Sequence, residues 1–462
     1  MLPASPIYTI ANLVVSALFC KYISVLWLCF FDRRVVWVTL VQTGVLLSNL
    51  FSLYLYKLYT MTTTKVTAVE LLAAKGLAAE MKRELTGDIL PYWISKMCSP
   101  DGRFYGRIDG NEVLDPSAPV GGIMTARILW TFASAYRVLG NPEYLDMALK
   151  AKNILINCFY DSEFGGIYWS LDADYAPLDT KKQIYAIAFA IYGLAELNRA
   201  TGDEEALEYA VRLFRSIEEH SYDKEKDGYF EAFTRSWGPI EDMRLSEKDA
   251  NESKTMNTHL HVIEAYTCLY RVWKDPLLEA RLRGLIDIFD RYILAGDGHL
   301  KLFFDNDWNC GYSIFSYGHD IEASWLLHEA VLVLGDKEVL AKVESRLPSV
   351  VDAATEGFTP EGGMIYEKVA DETDGDRHWW VQAEAAVGYF NMWEHFGVQE
   401  GIENAVHCWE FIKNRLLDRE NGEWFWSVRA DGTVNRDEDK AGFWKCPYHS
   451  GRMCLEIIER MA

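Results

Sequence analysis

YLDMALKAKNILINC (144–158), GGIYW (165–169) and IYAIAFAIYGLAEL (184–197) make up the stretch whose reading decides the fold. The first segment places apolar residues at three- and four-residue spacing with charges between them, the pattern of a helix wet on one face. The second is a glycine-rich aromatic turn. The third is apolar most of the way round, as a helix buried on nearly every side must be. This order recurs six times from Met61 onward, at a period of roughly 60 residues. The other turns are Asp101-Gly102-Arg103-Phe104-Tyr105, Asp227-Gly228-Tyr229-Phe230, Asp297-Gly298-His299-Leu300, Gly362-Gly363-Met364-Ile365-Tyr366 and Asn421-Gly422-Glu423-Trp424-Phe425. Charged helices such as Glu205 to Glu218 and Ile402 to Leu417 precede them. Apolar helices such as His261 to Trp273, Ile321 to Leu334, Trp380 to Phe396 and Cys446 to Ile458 follow.

Six wet helices and six buried ones are expected to close into a double-layered all-α toroid, with residues 61–462 as one domain. An open solenoid is the competitor, but it exposes its edges, and six units suit closure. In a closed ring the starts of the inner helices converge on one cavity.

With 462 residues, 50% of them hydrophobic and 14% aromatic, the chain can bury a large core. Its formal net charge of −22 argues against nucleic acid or an anionic membrane as partner of the main domain. Residues 1–60 differ in character. They carry Lys21, Arg33, Arg34 and Lys57 against Asp32 alone, and the runs 8–31 and 35–59 are each long enough to span a bilayer. Membrane anchoring by a two-helix hairpin, a signal segment, and translation from a start upstream of a true one at Met61 are the three readings of this apolar leader. Nine cysteines occur without a CxxC pair or metal-ligand spacing, which reads as a reduced, cytoplasmic protein without structural zinc.

The inner-helix starts hold the chemistry. Ser316-Tyr317-Gly318-His319-Asp320-Ile321-Glu322 places an imidazole in the first turn of a helix and a carboxylate three residues on, a pairing suited to proton transfer near neutrality. Its bland counterpart is a helix-capping histidine and a glutamate paired with an arginine. Lys254-Thr255-Met256-Asn257-Thr258-His259-Leu260-His261 puts Asn257 and His261 on one face, and His259 reads as structural. Arg127 lies in an apolar setting that would equally suit a structural ion pair, and Tyr185 opens the second inner helix. Arg377-His378-Trp379-Trp380-Val381-Gln382-Ala383-Glu384 and Phe443-Trp444-Lys445-Cys446-Pro447-Tyr448-His449 complete the set. Two adjacent tryptophans on a helix cannot both face one packing partner, so one of Trp379 and Trp380 should line the cavity. Asp249, in the loop before the third inner helix, reads as a ligand contact or a solvated charge. No two histidines stand four apart, and phosphate loops and dinucleotide fingerprints are absent, so no metal or cofactor is expected. Sugar hydrolysis would need two carboxylates across a cleft, for which Glu322, Glu384 and Asp249 are available.

These four motifs, in this order, resemble the cellobiose 2-epimerase branch of the N-acylglucosamine 2-epimerase superfamily, over nearly all of 61–462 and none of 1–60. The resemblance implies an (α/α)6 barrel that inverts C2 of the reducing-end sugar in β-1,4-linked disaccharides without a cofactor. It implies acid/base roles for His319 and His449, with Glu322 holding His319. Substrate contacts would come from Arg127, Tyr185, Asn257, His261, Trp379, Trp380, Glu384 and Trp444, joined by Asp249. The expected partner is a small-molecule disaccharide, acted on by a monomer, with membrane association only through residues 1–60. On the same barrel, N-acylglucosamine epimerisation or aldose–ketose isomerisation is the alternative, ahead of glycoside hydrolysis or sugar binding without turnover.

Overall fold

A computed structural model of the chain describes residues 66–462. The apolar runs at 8–31 and 35–59 and the start at Met61 lie outside those residues. Thr67–Ala462 forms one compact unit. Among the described residues no helix is long and apolar enough to cross a membrane.

Six inner helices form the ring: α2 (Gly122–Leu139), α4 (Ile184–Thr201), α6 (Met256–Val272), α8 (Tyr317–Leu334), α11 (Trp379–Phe396) and α13 (Tyr448–Arg460). Each packs on the next, and α13 packs back on α2, which closes the ring. The outer layer is α1 (Ala68–Glu84), α3 (Pro142–Ile154), α5 (Glu204–His220), α7 (Pro276–Ile288), the pair α9 (Lys337–Glu344) and α10 (Leu347–Thr355), and α12 (Gln399–Phe411). Contacts of α1 with α12 and α13 close this layer too. The fifth outer helix is broken because Pro348, second in α10, cannot donate to the preceding turn and clashes with it. The result is an all-α (α/α)6 barrel.

Local sequence sets the hairpins. Between α4 and α5 the chain turns on Gly202, left-handed at φ +76°, and then Asp203, whose side chain accepts from the backbone N–H of Ala206. A left-handed residue at the helix end favours glycine, and a short acceptor suits the next N-cap. Gly140-Asn141 and Gly335-Asp336 repeat the device. Gly193 serves a different need: a Cβ there would lie 2.7 Å from the carbonyl oxygen of Ala126, so its absence lets α4 approach α2.

The six aromatic turns are closed by six isolated antiparallel bridges, from Cys98 with Phe104 to Leu417 with Trp424. Immediately before the inner helices, short strands tie each repeat to the next. Val120–Gly121 pairs with Ser170–Leu171, Lys182–Gln183 with Ala232–Phe233, and Lys254–Thr255 with Phe303–Phe304. Ile314–Ser316 pairs with Glu367–Val369, and Arg377–His378 with Ser427–Val428. Ala441, ahead of α13, bridges to Ile108 in the first repeat. The helical pattern of the sequence hides these strands, each only two or three residues long.

Buried ion pairs stiffen this end. Lys182 meets Asp161 at 2.9 Å and Lys254 meets Asp223 at 2.7 Å, both lysines fully buried. At the opposite end the last turns of the inner helices interlock through Arg137 with Glu196 and Glu459, Arg271 with Glu329, and Arg460 with Glu456. The cavity therefore opens at the strand end. Replacing Lys254 by Met strands the buried carboxylate of Asp223, and unfolding should be easier by about 3 kcal/mol. A thermal or urea unfolding midpoint unchanged from the parent would contradict this role.

Candidate functional site

The cavity at the strand end measures about 410 Å³. From the inner helices it takes Arg127, Tyr185, Asn257, His261, His319, Glu322, Trp379, Trp380 and His449; Trp444 comes from the chain before α13, and Asp249 from the loop over the mouth. A side pocket of about 190 Å³ shares Asp249, Asn257 and His319 with it. Both tryptophans of the adjacent pair line the cavity, against the expectation of one. Trp379 is the first residue of α11, where the ring of contacts is still open, and Trp380 leans across the mouth of α8. Gly318 permits this, since a Cβ there would lie 2.6 Å from the Trp380 indole.

His319 and His449 share that indole. The Trp380 ring centre lies 4.9 Å from the His319 ring and 5.7 Å from the His449 ring. His319 Nδ1 is 2.8 Å from Ser316 Oγ, and His449 Nδ1 is 2.7 Å from Glu384 Oε1. Among the described residues neither Nε2 has a hydrogen-bond partner, so both second nitrogens remain for a ligand.

Two expected placements need correction. Glu322 does not hold His319: it pairs with Arg452 at 2.5 Å, and Ser316 takes the imidazole instead. Helix geometry explains it, because His319 in the first turn turns back toward the residue ahead of the helix, whereas Glu322 points one turn deeper. The arginine-paired glutamate of the bland reading is what forms. Glu384 is not at the cavity wall among the sugar-holding groups. It lies beneath His449, fully enclosed, accepting from His449, Arg452 and Trp325 Nε1.

Under the cavity Arg452 of α13 meets three glutamates from three other inner helices: Glu264 of α6, Glu322 of α8 and Glu384 of α11. Glu264 also takes His261 Nδ1 at 2.8 Å and the Tyr448 hydroxyl. Glu322, Glu384 and His449 have ligand-type atoms within 4.8 Å of one another and could hold a metal ion, but the Arg452 guanidinium already bonds both carboxylates.

Burial dominates the titration of these groups. It raises Glu384, against the pull of Arg452, and raises Glu264. It lowers His319 to about 4, with the Asp249 charge acting in the other direction. His449 is driven well below its ordinary value, first by burial and then by the positive charges of Arg127 and Arg452. Asp249 thus favours a proton on His319, while cations oppose one on His449.

Arg127 donates to the Tyr185 hydroxyl at 2.8 Å, and among the described residues its Nε has no hydrogen-bond partner. Asn257 Oδ1 is likewise unpaired. Tyr366 and His378, stacked with ring centres 4.1 Å apart, and Trp426 join the wall unforeseen. His259 is structural, accepting Tyr229 N–H at 2.9 Å.

A family model described as N-acylglucosamine 2-epimerase (GlcNAc 2-epimerase) matches residues 103–451. A cellobiose 2-epimerase of Bacteroides fragilis is 61% identical over 386 residues, covering 83% of this chain and 98% of that protein. Another, from Ruminococcus albus, is 41% identical over 390 residues, covering 83% and 99%. The solved structure of cellobiose 2-epimerase from Bacillus thermoamylovorans aligns with a TM-score of 0.80 at 39% identity, over 84% of this chain and 100% of that one.

Glu231 holds the start of α6 by accepting from the Thr255 backbone and the hydroxyls of Thr255 and Thr258, and burial pushes it up to about 8. A raised folded value binds a proton that the unfolded chain has released, so its stabilisation is present below about 4.5 and lost as pH rises through about 8. Across that interval the parent should lose thermal stability relative to Glu231→Gln. Parallel midpoint-against-pH curves would contradict the assignment.

Proposed function

The chain belongs to the N-acylglucosamine 2-epimerase family and is a sugar epimerase, and from that premise we propose that it inverts C2 of the reducing-end sugar in β-1,4-linked disaccharides. Cellobiose would become 4-O-β-glucosyl-mannose, or mannobiose mannosyl-glucose. The observation carrying this reading is the pair of imidazoles against one indole, each tied at Nδ1 and free at Nε2 among the described residues. A cavity of about 410 Å³ walled by Trp379, Trp380 and Trp444 suits a disaccharide, whose C–H faces stack on indoles.

The C2 hydrogen is acidic only in the open-chain aldehyde, beside the carbonyl. An imidazole first relays the O1 hydroxyl proton to the ring oxygen and opens the pyranose. His449 Nε2 then removes the C2 proton; the electron pair of the broken C–H bond becomes the C1=C2 double bond as the carbonyl π pair moves onto O1, giving an enediolate. Arg127 stands in the same wall, where its guanidinium charge would stabilise that oxyanion. His319 returns a proton to the opposite face of C2. For this step the two rings must hold one proton between them. Asp249 beside His319, and Arg127 and Arg452 beside His449, favour its residence on His319. A fixed carboxylate at Nδ1 keeps His449 a base at Nε2, while the rotatable Ser316 hydroxyl, donor or acceptor, lets His319 serve either way.

Replacing either His319 or His449 by Asn should lower kcat for epimerisation of cellobiose and mannobiose by about a thousandfold. Turnover of both disaccharides by either variant within tenfold of the parent would contradict the roles. Release of monosaccharide, or activity confined to N-acylglucosamine or to ketose formation, would contradict the reaction.

A further inference from the structure

We propose that Arg452 is a positioning residue for this reaction, one guanidinium setting the hydrogen-bond direction of two cavity histidines at once through Glu264 and Glu384. The inference rests on the epimerase reading above.

Arg452 is fully buried on α13, one turn below His449. Its Nη2 lies 2.7 Å from the same Glu384 oxygen that His449 Nδ1 meets at 2.7 Å. Its Nη1 bonds Glu264, whose other oxygen takes His261 Nδ1 at 2.8 Å. A carboxylate that is ionised can only accept, so each imidazole must present its hydrogen at Nδ1 and its lone pair at Nε2, toward the cavity. Burial opposes ionisation in such a place. Three buried carboxylates face a single guanidinium, and burial already raises both Glu264 and Glu384. Without the guanidinium these glutamates would take up protons. A carboxylic acid can donate to Nδ1, and that donation moves the imidazole hydrogen to Nε2. His449 then has no lone pair for C2, although no residue of the cavity wall has changed.

The groups that face His449 are Glu384 of α11, Arg127 of α2, His261 of α6, His319 of α8 and Arg452 itself. Of these only Arg452 contacts both carboxylates that back the two histidines.

The experiment compares Arg452→Met and Arg452→Lys with the parent, as full chains, on cellobiose across pH, with circular dichroism and thermal melting as the fold check. Arg452→Met should lose kcat by at least about 30-fold near neutrality with KM within about threefold, because the loss is of a tautomer and not of substrate contacts. Its activity should recover as pH rises and the glutamates ionise, moving the acid limb upward. Arg452→Lys keeps the charge but not the planar fork, so its limb should move less. A kcat within threefold of the parent in a folded variant, or a loss of kcat without any movement of the limb, would overturn the proposal. If the Met variant fails to fold, Arg452→Lys with unaltered kcat and limb overturns it alone, and a reduced kcat with a raised limb supports it. Failure of the parent to epimerise both cellobiose and mannobiose would instead overturn the reaction, so the two claims fail separately.

Discussion

Each inner helix begins where it does because the residues before it are hydrogen-bonded to the next repeat. Five short antiparallel pairings and the Ile108–Ala441 bridge run around one end of the barrel. They fix six helix starts at one level, and a residue in any first turn then faces the same space. Fully buried Lys182 and Lys254 sit within these pairings and bind the acidic residues that open the neighbouring turns. The cavity is thus a by-product of repeat closure, and its chemistry comes from which residues occupy equivalent first-turn positions.

The second constraint is dryness. Histidines in water would exchange protons with solvent near their ordinary value; here burial disfavours the charged form of His319, His261 and His449. A neutral imidazole offers either a lone pair or a hydrogen at Nε2, and the partner at Nδ1 decides which. The barrel supplies two different partners. Glu384 is held in place by Arg452, whereas the Ser316 hydroxyl can rotate. The floor of three glutamates around one arginine extends this control to His261.

Much of this was legible in the sequence. The six-fold order of wet helix, aromatic turn and buried helix gave the barrel, since burial pattern follows directly from periodicity. Residues such as His319, His449, Asn257 and Arg127 were found because they interrupt apolar helix starts. What could not be read was pairing across helices. His319 and Glu322 are neighbours in sequence, yet Glu322 turns to Arg452 and His449 takes Glu384 from α11. The spacing carries a hint of it: His261–Glu264 and His449–Arg452 repeat the three-residue step of His319–Glu322, marking a second charged tier one turn below the first. Tyr366, Trp426 and the π-helical ends of several outer helices, such as Leu155–Phe159, left no comparable mark.

The central claim is that the C2 hydrogen leaves as a proton to one imidazole and is replaced from another on the opposite face. The most direct measurement is mass spectrometry and NMR of cellobiose turned over briefly in heavy water by the full chain. The account predicts an epimerised disaccharide carrying one deuterium at C2, with the glycosidic bond intact. An epimer that keeps its original hydrogen at C2 would contradict it.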